Sequence, residues 1–171
     1  PFVAWILPCF LLTICFFTMM ACLHVLTGDD KKIFSLLAVA FAAMYAAIIS
    51  TCYYIQAVVV MHNLHSGLTD GLQLWLFAMP YPNSFPGALE GIGYLFMCLS
   101  LIFASRIFSG DRLCKWISRS LLFSGITGVL VFSNPLYPLP TAIVLIDVIA
   151  NAIVLFASLS LVTIWFKRTL N

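Results

Sequence analysis

The chain has 171 residues, 63% of them hydrophobic and 8% charged, with a formal net charge of +2, and its mean hydropathy is +1.11. Soluble domains carry about 25% charged residues and are about 45–50% apolar, so this composition excludes an ordinary soluble fold and is the reverse of a disordered one. What remains is an all-α polytopic helical membrane bundle, a single transmembrane domain over residues 1–171 with room for about five spans of ~20 residues each.

The first apolar segment runs from Phe2 to Leu26. No basic leader precedes it, so no secretory signal peptide is visible; either a Met has been removed before Pro1, or the sequence starts inside a longer protein. The segment stops at the polar break Gly28-Asp29-Asp30-Lys31-Lys32. The second runs from Ile33 to Val60. It aligns Ala43, Ala47 and Thr51 on one face, with Ala42, Ala46 and Ser50 beside them. Small residues at that spacing let a neighbouring helix approach closely.

The link from His62 to Pro86 is the long one. Within it Leu72, Trp75, Leu76 and Met79 recur at i, i+3, i+4 and i+7, which predicts a short interfacial helix capped by Thr69 or Asp70. Pro80-Tyr81-Pro82-Asn83 and Phe85-Pro86-Gly87 then predict a turn. The third span is expected over Gly87 to Phe108. The fourth covers Trp116 to Phe132, barely long enough, with Ser120, Ser124, Thr127 and Gly128 as its packing face. The prolines between Ser133 and Pro140 predict a rigid turn, and the fifth span runs from Thr141 to Phe166. No strand-like alternation of a membrane barrel is present.

Charge placement predicts orientation. Lys31 and Lys32 follow span one, Arg106, Arg112, Lys115 and Arg119 surround the link between spans three and four, and Lys167 and Arg168 follow span five. All 8 basic residues therefore fall on one side, which the positive-inside rule makes cytoplasmic. Residue 1 is then outside, and Asn171 and the basic loops are inside a cell membrane. Basic residues that border apolar spans argue for the lipid bilayer as partner and against nucleic acid. The 6 cysteines contain no Cys-x-x-Cys pair and read as small apolar residues.

Two acids lie within the expected spans. Glu90 is near the outer end of span three, and Asp147 is ~9 Å along span five from its outer end. Asn151 is one turn deeper on the same face as Asp147. Intramembrane acids are costly and mark functional sites by default. The outer half contains no Lys or Arg to pair with them. Four outcomes are open. The acids are protonated, they accept hydrogen bonds from neutral donors, they pair with His62 or His65, or they bind something from outside. Tyr53, Tyr54, Gln56 and Tyr94 are the available donors. Glu90, Asp147, Asn151, Tyr94, Tyr54 and Gln56 are thus the candidates for a ligand or ion pocket. His62 and His65, three apart with Asp70 nearby, are weak metal candidates. No nucleophile elbow, phosphate loop, dinucleotide fingerprint or zinc-protease motif occurs, so no catalytic residue and no cofactor is expected.

The stretch Asp29-Asp30-Lys31-Lys32-Ile33-Phe34-Ser35, the Tyr53-Tyr54-Ile55-Gln56 end of span two, and Ala88-Leu89-Glu90-x-x-Gly93-Tyr94-Leu95 resemble an uncharacterised family of bacterial and archaeal multispanning integral membrane proteins. The resemblance covers about Pro8 to Phe166 and implies one further span before Pro1, six in all. It puts Glu90 and Tyr94 in its most recognisable motif and brings no activity, substrate or cofactor with it.

Two functions follow as expectations. One is a non-enzymatic protein that binds or moves a small molecule or ion through an outward-facing pocket around Glu90, Asp147, Asn151 and Tyr94. The other is a structural or regulatory subunit that packs against partner helices or a second copy. A polar cavity holding both acids favours the first; small-residue stripes left uncovered favour the second. A membrane enzyme is disfavoured.

Overall fold

The computed structural model describes residues 2–75, 84–132 and 140–170; the side chains of 2–5, 73, 141, 144, 147, 148 and 170 lie outside that description. Its regular elements are all helical. They are α1 (Phe2–Leu26), α2 (Lys32–Ile55), the short α3 (Met61–His65), α4 (Phe85–Ser105), α5 (Arg112–Phe132) and α6 (Thr141–Leu170). A π-helical segment, Gln56–Val60, joins α2 to α3, so the helix continues past the apolar segment. Four stretches are long and apolar enough to cross a membrane: Ile6–Leu26, Asp29–His65, Phe85–Ser105 and Ile149–Thr169. Helix α5 is 21 residues long, but its first turns carry Arg112, Lys115 and Arg119, which shortens its apolar part.

Helix α2 packs between α1 and α4, α5 packs on α4, and α6 packs on α5. The α2–α4 contact is built on buried Ala38, Ala42, Tyr45 and Ile49 from α2 and Leu101 and Ala104 from α4. Ser100 Oγ donates to the Ala38 carbonyl across it at 2.7 Å. Glycine makes two approaches possible. A Cβ at Gly125 would stand 2.8 Å from the Cys98 carbonyl oxygen, and one at Gly128 would collide with Cys98 Sγ. Of the small-residue face expected on span four, Ser124 and Gly128 are buried, while Ser120 and Thr127 are half-buried. The stripe Ala43, Ala47 and Thr51 on α2 stays exposed.

The basic groups converge at one end. Lys32 Nζ donates to the His24 and Thr27 carbonyls, each at 3.0 Å. These close α1, where the last carbonyls lack intrahelical donors and the dipole favours a cation. Lys31 Nζ donates to the Ile107 carbonyl at 2.9 Å and to Ser109 Oγ, joining the first turn to the α4–α5 link. Asp111 Oδ1 accepts the Cys114 amide at 2.9 Å and so caps α5. Its other oxygen lies 3.8 Å from Arg168 Nη1. Phe108 meets Trp165 edge to face, with ring centroids 5.2 Å apart.

The long link starts differently from the expected amphipathic helix. Among its described residues a 3-10 turn, Leu72–Leu74, forms, and its N-cap is Gly71 at φ +76° rather than Thr69 or Asp70. The expected positions Leu76 and Met79, the Pro80–Asn83 turn and most of the Ser133–Pro140 turn lie outside the described residues. Span three ends at Ser105 rather than Phe108 because the Arg106 and Ile107 amides close it with bonds to Phe103 and Ala104.

A candidate outward pocket

The site lies at the end of the helices remote from the basic cluster. Ser84 opens α4, its hydroxyl accepting the Gly87 amide at 3.3 Å, and Pro86 occupies a first-turn position where no amide is needed. Glu90 follows in the next turn and Tyr94 one turn further, so both side chains leave one face of α4.

Tyr53 answers them from α2. It is 1% exposed, and its hydroxyl donates to Glu90 Oε1 at 3.2 Å. The same hydroxyl lies 3.5 Å from the Tyr94 hydroxyl. Below this trio the rings continue. Tyr94 stacks on Phe132 of α5 with centroids 4.9 Å apart, and Tyr45 of α2 tilts against Tyr94 at 5.8 Å. The hydrogen bond from a neutral donor, one of the four outcomes open for Glu90, is thus present.

Tyr94 also borders a cavity of about 290 Å³ between α4, α5 and α6. Asn151 lies on its wall with Cys98, Ser124 and Gly128, and Leu101 and Leu155 close its deeper end. Asn151 Nδ2 donates to Thr127 Oγ1 at 2.6 Å, which fixes the amide between α6 and α5. The Ser124 hydroxyl is buried with no hydrogen-bond partner among the described residues. Ser120, Thr127 and Ser158 instead turn back onto carbonyls of their own helices, the usual way a helix satisfies such groups.

The sequence candidates thus divide. Tyr94 and Asn151 meet at one cavity, and Glu90 stands one turn above it, tied in through Tyr53. Asp147 is on α6 one turn nearer its start than Asn151, and its side chain lies outside the described ones. Tyr54 is 64% exposed and turns away. Gln56 is fully buried, and its Nε2 donates to the Trp75 carbonyl at 2.8 Å, so it braces the long link rather than the cavity. Its Oε1 has no partner among the described residues. His62 and His65 are exposed on α3, where His65 Nδ1 bonds the Met61 carbonyl at 2.7 Å. No group of three His, Cys, Asp or Glu side chains gathers among the described residues.

Sequence reading missed Tyr45, Ser124 and Phe132 as members of this region. Tyr45 was legible in principle, since it precedes Tyr53 by two helical turns and shares its face. Ser124 looked like a packing residue, and nothing in the sequence says that its hydroxyl lacks the usual carbonyl. The chain matches no protein-family model, no curated protein and no solved structure.

Proposed function

We propose that this chain is an integral membrane protein that crosses the bilayer five times and holds an outward-facing pocket for a small molecule or ion. The observation that carries the proposal is the continuity between Glu90, Tyr53, Tyr94 and the cavity at Asn151. Tyr94 and Asn151 line an apolar hollow, and buried Tyr53 links Tyr94 to the Glu90 carboxylate one turn above it. Binding sites combine a largely apolar wall with a few directed polar groups in this way. The positive-inside rule supports the orientation, because the Lys and Arg residues cluster at the opposite end.

Access tests the proposal. Ala152→Cys, on the cavity wall, is made in a chain whose native cysteines are replaced. The new thiol is expected to react with a membrane-impermeant methanethiosulfonate added from outside, faster than a thiol at lipid-facing Ile153. A thiol at 152 that reacts only from the cytoplasmic side, or no faster than one at 153, would overturn the outward pocket.

A second reading, a structural or regulatory subunit, is supported by the uncovered stripe Ala43, Ala47 and Thr51. Close helix approach depends on small side chains there. On this reading Ala47→Leu reduces the size of the native assembly in mild detergent. An unchanged assembly would contradict it.

A further inference from the structure

We infer that the cavity between α4, α5 and α6 takes a small neutral molecule, an apolar body carrying a single hydroxyl or carbonyl that bonds Ser124. This rests on the outward pocket proposed above and names the class of ligand it holds. The charge, the polar point and the size of that one cavity lead there.

The wall is uncharged. Tyr94, Asn151 and Ser124 are set among apolar groups such as Met97, Leu101 and Leu155, and no described residue on it is ionic. Glu90 is not part of it; its carboxylate stands a turn above and accepts the Tyr53 hydroxyl. A charged ligand would leave water and meet no opposite charge on this wall, which costs far more than burying a neutral one.

The polar point is Ser124. It is 2% exposed, and its hydroxyl has no hydrogen-bond partner among the described residues. Ser120 and Ser158 bond back to carbonyls of their own helices; the Ser124 hydroxyl makes no such bond and stands on the cavity wall. The other two polar groups are engaged, Asn151 with Thr127 and Tyr94 with Tyr53. A buried polar group left unpaired is costly, and a ligand oxygen that meets it removes the cost. A lone water serves poorly, because it needs about two to four polar partners. Among the described residues the deep end supplies Ser124 beside Leu101 and Leu155.

Size bounds the apolar body. The cavity holds about 290 Å³. A cavity of about 150 Å³ lined by aliphatic and aromatic side chains binds benzene, so this one suits a body of roughly ten to twelve non-hydrogen atoms. From Tyr94 to Leu101 it runs about 10 Å along α4. Tyr94 and Phe132, stacked with centroids 4.9 Å apart, close its outer end with ring surface. A ligand oxygen on Ser124 thus places the apolar body against these rings.

The experiment uses the purified full chain in phosphatidylcholine nanodiscs. The probes are β-naphthol, naphthalene and naphthylmethylammonium, one body with a hydroxyl, with none and with a charge. Each is titrated at matched concentration in the bilayer while thermal melting is followed, since a ligand bound to the folded state alone raises the midpoint. On the native chain β-naphthol is expected to bind about fivefold more tightly than naphthalene, and the ammonium least. Ser124→Ala is expected to leave the ligand-free midpoint unchanged or higher and to bring β-naphthol down to the level of naphthalene. Ala152→Leu, which fills the cavity, is expected to remove the response to both. Equal binding of β-naphthol and naphthalene to the native chain would overturn the oxygen partner, and tighter binding of the ammonium would overturn the neutral ligand. A hydroxyl advantage that survives Ser124→Ala would overturn the site, and no response to any probe would overturn the ligand class. In each case the thiol-access measurement at 152 judges the outward pocket separately. Should Ser124→Ala fail to fold, the comparison of β-naphthol with naphthalene on the native chain still decides.

Discussion

Tyr53 illustrates how a single side chain sets the character of this molecule. A buried phenol must find a partner, and this one finds a carboxylate and a second phenol on another helix. Removing its hydroxyl leaves Glu90 without that donor. Tyr53→Phe is therefore expected to destabilise by about 1–3 kcal/mol, the cost of stranding a buried acceptor, measured by thermal or denaturant unfolding in detergent. Unchanged stability would mean that water already serves Glu90. Ser100 gives a smaller effect of the same type. Its bond to the Ala38 carbonyl crosses between helices, and such bonds average about 0.6 kcal/mol in a membrane bundle. Ser100→Ala should lose about that much, while Ser160→Ala, whose hydroxyl serves only its own helix, should lose nothing measurable. The sequence made Glu90, Asn151 and Tyr94 legible because carboxylates, amides and phenols are conspicuous among apolar residues. It left Tyr54 and Gln56 undistinguished from Tyr53. Which of these neighbours faces α4 depends on helix rotation, and the π-helical segment starting at Gln56 alters that phase.

At the level of helices, the close approach of α5 to α4 rests on glycine. Gly125→Ala places a methyl against the Cys98 backbone carbonyl, which cannot yield as a side-chain tip can. A loss of about 1–3 kcal/mol is expected, as for other overpacked sites. Gly91→Ala is the control, since nothing stands closer than 4.0 Å to a Cβ there. It should be neutral or raise stability by up to about 1 kcal/mol through helix propensity. The start of α5 carries a pH signature. The Cys114 amide, with Arg168 nearby, holds the Asp111 carboxyl below the usual carboxylate range. A carboxyl depressed in the folded state stabilises the fold above its unfolded value of about 3.9 and loses that contribution as pH falls through its folded value. The melting difference between the native chain and Asp111→Ala should thus be full at neutral pH and vanish on strong acidification. A difference independent of pH would show that the cap does not act through the ionised carboxyl. The apolar runs made the long helices legible to within a few residues. The 3-10 turn at Leu72–Leu74 was hidden, because the i, i+3, i+4 pattern does not separate a single turn from the start of a longer helix, and Gly71 in the left-handed region breaks the helical path before it.

Across the whole molecule, basic charge is segregated along the helix axes. Lysines and an arginine close helix ends and bridge the turns at one end, while Glu90 stands near the other among neutral partners. This polarity was plain in the sequence, because the 8 basic residues fall only in alternate links. The packing order of the helices was not, since apolar faces of similar composition can meet in several ways. The account depends on both acidic and basic ends facing the sides assigned to them, with α5 as a true span between. Labelling with a membrane-impermeant maleimide in intact cells measures this directly, using a chain freed of its native cysteines. The sites are Ser66→Cys, Ser109→Cys and Ala142→Cys, all exposed and placed after two, three and four of the proposed spans. The account predicts labelling at 66 and 142 in intact cells, and at 109 only after the membrane is opened. Labelling of 109 in intact cells, or of 66 and 142 only after opening, would contradict it.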